Sequence, residues 1–321
     1  MTRYTDMKLS LLIQVFNGGD YWRECWDSVL QNQDIFDQIY VSIGKSSKQE
    51  EDIALVRGCK LEKLHWIRQD EKLTSVEHGK RLERWVGSFH PEGHIFILCH
   101  DDILLREGLL KLKELDLDEN DAVFGPFRFF SQEGSGREIT VREFHRDDGQ
   151  PISGEMFCFL QDQQVFTYNL SGTVLPSILF RIPRAPWHFL SYGCRSENCH
   201  LCNPYVKRIR QTTEPTVKIR THAGSEGSHL PPDAIQYDTM VYLLSAFVTY
   251  RSRPLRIQLM RSLGYTIRTS PLRGTGYFLK LQIRLAGLGY YYPEALKIYG
   301  CLLRIVWGKS VNLLKRIFHA G

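Results

Sequence analysis

The stretch Gly93-His94-Ile95-Phe96-Ile97-Leu98-Cys99-His100-Asp101-Asp102-Ile103-Leu104 decides how this chain of 321 residues is to be read. From Ile95 to Cys99 the run is apolar with no polar alternation, the pattern of a strand covered on both faces in a parallel α/β sheet. It ends abruptly in two adjacent acids. Ligands of such sheets gather beyond the carboxyl ends of the strands, which is where Asp101 and Asp102 fall. Neighbouring carboxylates repel and are costly to desolvate, so the pair calls for a cation. Hard oxygen donors suit Mg²⁺ or Mn²⁺, either of which can hold a substrate's phosphates. The competing explanation is a helix cap, since an acid just ahead of a helix starting near Leu104 would serve its first turn.

The flanking sequence alternates strand and helix. Leu9 to Phe16 reads as a buried first strand ended by the turn Asn17-Gly18-Gly19-Asp20, and Tyr21, Cys25 and Val29 then repeat at helical spacing. Gln38 to Ile43 gives a second strand leading into the polar loop Gly44-Lys45-Ser46-Ser47-Lys48, Glu50 to Arg57 a helix, Leu64 to Arg68 a third strand and Thr74 to Phe89 a helix. Beyond the acids, the pattern predicts a helix over Leu104–Leu115, one strand over Ala122–Phe130 and a charged surface excursion over Ser131–Gln150. A helix from Ser177, a strand near 216–221 and a long helix over Asp233–Tyr250 complete the series. The implied fold is α/β: a doubly wound, mostly parallel sheet.

Composition restricts the function classes. With 43% hydrophobic and 24% charged residues the chain is an ordinary folded globule, and its first residues lack the apolar core of a secretory signal, so a cytoplasmic protein is expected. The eight cysteines are scattered and imply no disulfide framework. Cys194, Cys199, His200 and Cys202 cluster in sequence, but without the paired spacing of a zinc site. Net charge is +5, unevenly spread: residues 251–321 carry thirteen Lys or Arg against Glu294 alone, or +12, leaving −7 for residues 1–250. The chain divides accordingly into a body, 1–250, and a basic helical extension, 251–321.

Taken in order, the first strand with its polar turn, the second strand with its Ser-rich loop and the apolar strand ending in acids resemble the family-2 glycosyltransferases of GT-A fold over roughly residues 8–230. The resemblance implies transfer of a sugar from a nucleotide-diphosphate donor with Mg²⁺ or Mn²⁺ as cofactor. His100-Asp101-Asp102 is similar to the family's acidic motif, so Asp102 would ligate the metal and Asp101 would hold the donor's ribose or a nearby water. Ser171-Gly172 matches the segment under the donor sugar. Glu197 stands where the family places the base that deprotonates the acceptor, with Asn198 in place of a second acid. His222 matches a histidine near the metal, and Ser225 and Ser228 follow it. Asn17 and Gly18 are candidate donor contacts at the first turn, and Ser42 replaces the acid that often reads the nucleotide base.

In the extension, bulky apolar residues share predicted helices with Lys and Arg, notably over Ala295–Phe318, a pattern suited to the plane of an anionic bilayer. Arg304, Lys309, Lys315 and Arg316 argue against a spanning helix. Packing of these helices on the body is the alternative, and no nucleic-acid motif is present. The resemblance implies a bacterial enzyme of polysaccharide biosynthesis, acting on a glycan or lipid-linked acceptor as a peripheral protein at the inner face of the membrane. Two other functions compete: sugar-phosphate nucleotidyl transfer, which usually wants a basic Gly-rich loop after the first strand, and a catalytically degenerate relative that only binds glycan or membrane.

Overall fold

A computed structural model of the chain describes residues 7–131, 139–141, 150–162, 170–182, 196–221 and 232–269. The first half builds the expected alternation: β1 (Leu9–Val15), α1 (Asp20–Gln31), β2 (Gln38–Ile43), α2 (Gln49–Arg57), β3 (Leu64–Arg68), α3 (Ser75–Gly87) and β4 (His94–Cys99). Then come β5 (Ile103–Leu104), α4 (Arg106–Lys113), β6 (Asp121–Phe124), β7 (Phe127–Ser131), β8 (Ile139–Val141), α5 (Gly154–Asp162) and β9 (Val174–Pro176). The remainder is α6 (Ser196–Leu201), β10 (Arg208–Gln211), β11 (Val217–Thr221), α7 (Pro232–Thr249) and α8 (Arg253–Thr269).

Seven strands form the main sheet in the order β10-β6-β9-β4-β1-β2-β3. β3, β2, β1 and β4 run parallel, whereas β9 is antiparallel to both β4 and β6. Alternate residues of the central strands feed two separate cores. Leu12, Tyr40, Ile95 and Ile97 join Leu82 and Val86 of α3 and Met240 and Leu243 of α7 on one face. Leu11, Ile13, Val41, Phe96 and Leu98 meet Trp22 and Trp26 of α1, Ile53 of α2 and Leu109 of α4 on the other. Each fully buried side chain of this size contributes about 1.5–3 kcal/mol, so the strands near the acids rest on the best-buried part of the molecule.

Three expectations are corrected. No helix starts at Leu104: Ile103 and Leu104 form β5, paired antiparallel with β11, and α4 begins at Arg106. Ala122–Phe130 is two strands. Gly125-Pro126 interrupts the run, so that β6 stays in the main sheet while β7 enters a second sheet of order β5-β11-β7-β8. The helix expected from Ser177 is a single 3-10 turn over Ser177–Phe180. Part of the basic extension is a helix of the same body: Leu255 and Leu259 of α8 are buried in the α7 core, and Gln258 Nε2 donates to Phe159 O at 3.0 Å. Ala295–Phe318 lies outside the described residues.

Candidate active site

The turn after β4 places the acids at the carboxyl edge of the main sheet, facing the second sheet. Asp102 is 2% exposed and Asp101 half-buried. Neither caps a helix, because the N-cap of α4 is Leu105, which makes no side-chain capping bond. Asp102 Oδ1 accepts from the Arg220 backbone N–H at 2.9 Å, and the Ser171 hydroxyl also bonds the carboxylate. Burial, then the neighbouring charge of Asp101, push the Asp102 carboxyl up to about 8 despite those bonds and the Arg220 charge.

Ligating atoms of Cys99, Asp101 and Asp102 lie within 4.8 Å of one another, the one such grouping among the described residues. Burial and the two acids hold the Cys99 thiol well above its ordinary range, so it stays protonated. The two carboxylates supply hard oxygen donors, which fit Mg²⁺ or Mn²⁺. The Cys194–Cys202 segment forms no comparable grouping among its described members, Cys199, His200 and Cys202, and Cys194 is not described.

Ser171 and Gly172 lie beside the acids. Ser171 Oγ accepts from the Cys99 N–H at 3.2 Å, which ties the 170–173 turn to the end of β4. Gly172 has φ +89° and donates its N–H to Ile97 O at 2.9 Å, a left-handed position that a side chain would strain.

The first turn is arranged differently from expectation. The N–H groups of Gly18 and Gly19 both donate to the Asp52 carboxylate, at 3.1 and 2.9 Å, in place of facing the cleft as open donors. Asn17, exposed and with φ +54°, accepts from Ser47 Oγ at 3.1 Å. Ser42 is wholly buried: its Oγ accepts from Gln69 Nε2 at 2.9 Å and lies 2.8 Å from His78 Nε2. Burial, then the charges of His100 and Arg81, hold the His78 pKa down at about 4. His78 is delivered by the capping box that starts α3, in which the Glu77 N–H donates to Thr74 Oγ1 at 3.3 Å and Thr74 N–H to Glu77 Oε2 at 3.1 Å. Ser42 thus belongs to an internal network that reaches α3.

Glu197 falls in the first turn of α6, but its side chain lies outside the described residues, as does His222 entirely. Residues that sequence reasoning did not single out complete the site: Arg220, Glu24, Asp52, Gln69 and His78. Only Arg220 had a signal, its place beside Thr221-His222.

No protein-family profile matches the sequence, and no curated protein matches it. Solved structures do. The mannosyltransferase PcManGT from Pyrobaculum calidifontis, in complex with GDP-Man and Mn²⁺, aligns with a TM-score of 0.50 at 11% identity over 95% of this chain and 83% of that one. TarS residues 1–349 from S. aureus give 0.47 at 12% identity over 88% of both chains, and GalNAc-T7 with UDP, GalNAc and Mn²⁺ gives 0.46 at 12% over 77% and 51%. The strand order, the acid turn and the likeness to the mannosyltransferase together define a protein of GT-A glycosyltransferase fold.

Proposed function

We propose that the chain is an inverting, metal-dependent glycosyltransferase that moves a sugar from a nucleotide-diphosphate donor to a hydroxyl of a glycan or lipid-linked acceptor. The observation that carries this reading is the buried acid turn: Asp102 has no capping duty, is held by Arg220 and Ser171, and sits beside Asp101 at the sheet's carboxyl edge. Mg²⁺ or Mn²⁺ on Asp102, beside Asp101 and with His222 as the further ligand the family resemblance implies, would neutralise charge on the departing diphosphate.

The residues of the chain divide the remaining work. Ser171 and Gly172 form the floor against which the donor sugar lies, close to Asp102. Asn17 and Gly18 border the donor at the first turn, and Ser42 acts on the base through His78. Glu197 takes the acceptor's hydroxyl proton as the acceptor oxygen bonds the anomeric carbon and the bond to the diphosphate oxygen breaks. Attack opposite the leaving group inverts that carbon.

The basic extension from residue 251 is the proposed contact with an anionic membrane surface at the cytoplasmic face. Its first helix supports this: Arg253, Ile257, Arg261 and Tyr265 recur every fourth residue and are all exposed, while Leu255 and Leu259 face inward. No described helix is long and apolar enough to cross a membrane.

The direct experiment screens nucleotide sugars for donor turnover with Mn²⁺, in wild type and Glu197→Gln. Turnover of one donor by wild type, reduced about 10²-fold or more in the variant with donor binding retained, is the expected outcome. Undiminished turnover in Glu197→Gln would move the base elsewhere, and no turnover of any donor would favour a binding protein.

A further inference from the structure

Arg220 is a long cation in a place where a cation is not free to move. It lies on β11 opposite Phe130 of β7 and is 3% exposed. Its guanidinium is sandwiched between the rings of Tyr21 and Phe130, with centroids 4.7 and 4.6 Å away. Nε donates to Asp101 O at 3.0 Å, an Nη donates to Glu24 on α1, and the backbone N–H takes Asp102 Oδ1. One residue therefore holds both acids of the turn, one through its carbonyl and the other through its carboxylate, and ties them to α1 and β7.

We propose that Arg220 is a positioning residue for the acid turn: its guanidinium fixes the peptide between Asp101 and Asp102 through the Asp101 carbonyl and anchors the strand whose backbone N–H at 220 holds the Asp102 carboxylate, so that the remaining carboxylate lone pairs are aimed for a divalent cation. The inference rests on the metal-dependent reading given above. Its physical basis is the rigid planar fork of arginine, whose donors diverge at fixed angles while its faces stack on rings. Partners of this kind orient metal ligands and matter to affinity almost as much as the ligands do. The two rings remove the rotamer freedom that a long side chain would otherwise have. The bonds to Asp101, Asp102 and Glu24 then set the register of the acid turn against the second sheet.

Lysine separates this role from simple charge. Arg220→Lys keeps the cation and the backbone N–H but cannot make the fork or lie flat between the rings. The test is Mn²⁺ binding by the full chain, followed by the electron paramagnetic resonance of free Mn²⁺, alone and with UDP or GDP. Melting curves of each protein accompany the titration. The expected result is Mn²⁺ affinity lower by about 10–100-fold in Arg220→Lys. Tyr21→Leu, which removes one ring and keeps the guanidinium, should show a smaller fall in the same direction, and it decides the matter if the lysine variant does not fold. Wild-type Mn²⁺ affinity in a folded variant of either kind would overturn the proposal. A wild-type protein that binds no Mn²⁺ under any of these conditions would instead bring down the metal reading, and this inference with it.

Discussion

Two buried carboxylates stand at the same edge of the main sheet and do opposite things. Asp52, 0% exposed on α2, spends both oxygens on the N–H groups of Gly18 and Gly19, and burial raises its pKa in spite of those bonds. Asp102, 2% exposed, receives one backbone N–H and a hydroxyl, and its second-largest perturbation is another acid. The first is a clamp that closes a turn. The second stands beside another acid, and burial and that neighbour disfavour its charge. Burial alone does not mark a functional acid; a second acid beside it, in a turn with no capping duty, is the stronger sign.

The largest expected effect breaks this contrast from the functional side. Asp102→Asn keeps an oxygen for the Arg220 N–H and cannot carry the charge that burial and Asp101 disfavour, so the melting midpoint should hold or rise. Metal-dependent transfer should fall by about 10²–10³-fold, the scale of losing one group that stabilises transition-state charge. Turnover close to wild type would remove the acid turn from the chemistry.

A second effect sharpens the contrast on the structural side. The Gln69–Ser42–His78 network is buried like Asp52, and its imidazole is neutral in the folded state. Free in an unfolded chain, His78 takes its proton near the ordinary 6.5, whereas the folded ring does so only near 4. Its contribution is full above pH 6.5 and lost as pH falls from there to about 4, a total of about 3 kcal/mol. Denaturant melts between pH 7 and 4 should show this loss in wild type and a shallower one in His78→Gln; equal slopes would mean that another group governs the acid side.

Much of this architecture was legible in the sequence, and the rest was hidden for physical reasons. The apolar run to Cys99 announced β4, and helical spacing located α1 and α3, because these signals are local. Gly125-Pro126 was a visible turn signal inside Ala122–Phe130, but apolar residues on both sides concealed a change of sheet. Arg220 looked like an outward residue of an alternating strand, yet its partners lie about a hundred residues or more away, at Asp101, Asp102 and Glu24. Asp52 resembled any acid in the first turn of a helix, and nothing in α2 names the glycines it clamps. Glu197 and His222 came from family resemblance, since an isolated acid or histidine carries no signature of its own.

The smallest effect returns to Asp52. Replacing it with Asn leaves one acceptor for two N–H groups and turns an amide toward the other, while relieving the cost of a buried charge. The two changes oppose each other, so the net loss should be about 1–2 kcal/mol of stability, read as a lower midpoint in urea at pH 7. Asp52→Ala, which leaves both glycine N–H groups without the carboxylate, should lose more. The order wild type, Asn, Ala in stability, set beside an unchanged or raised midpoint in Asp102→Asn, is what the clamp and the charge centre require. If Asp52→Asn instead matched wild type, the two N–H bonds would not be holding the turn.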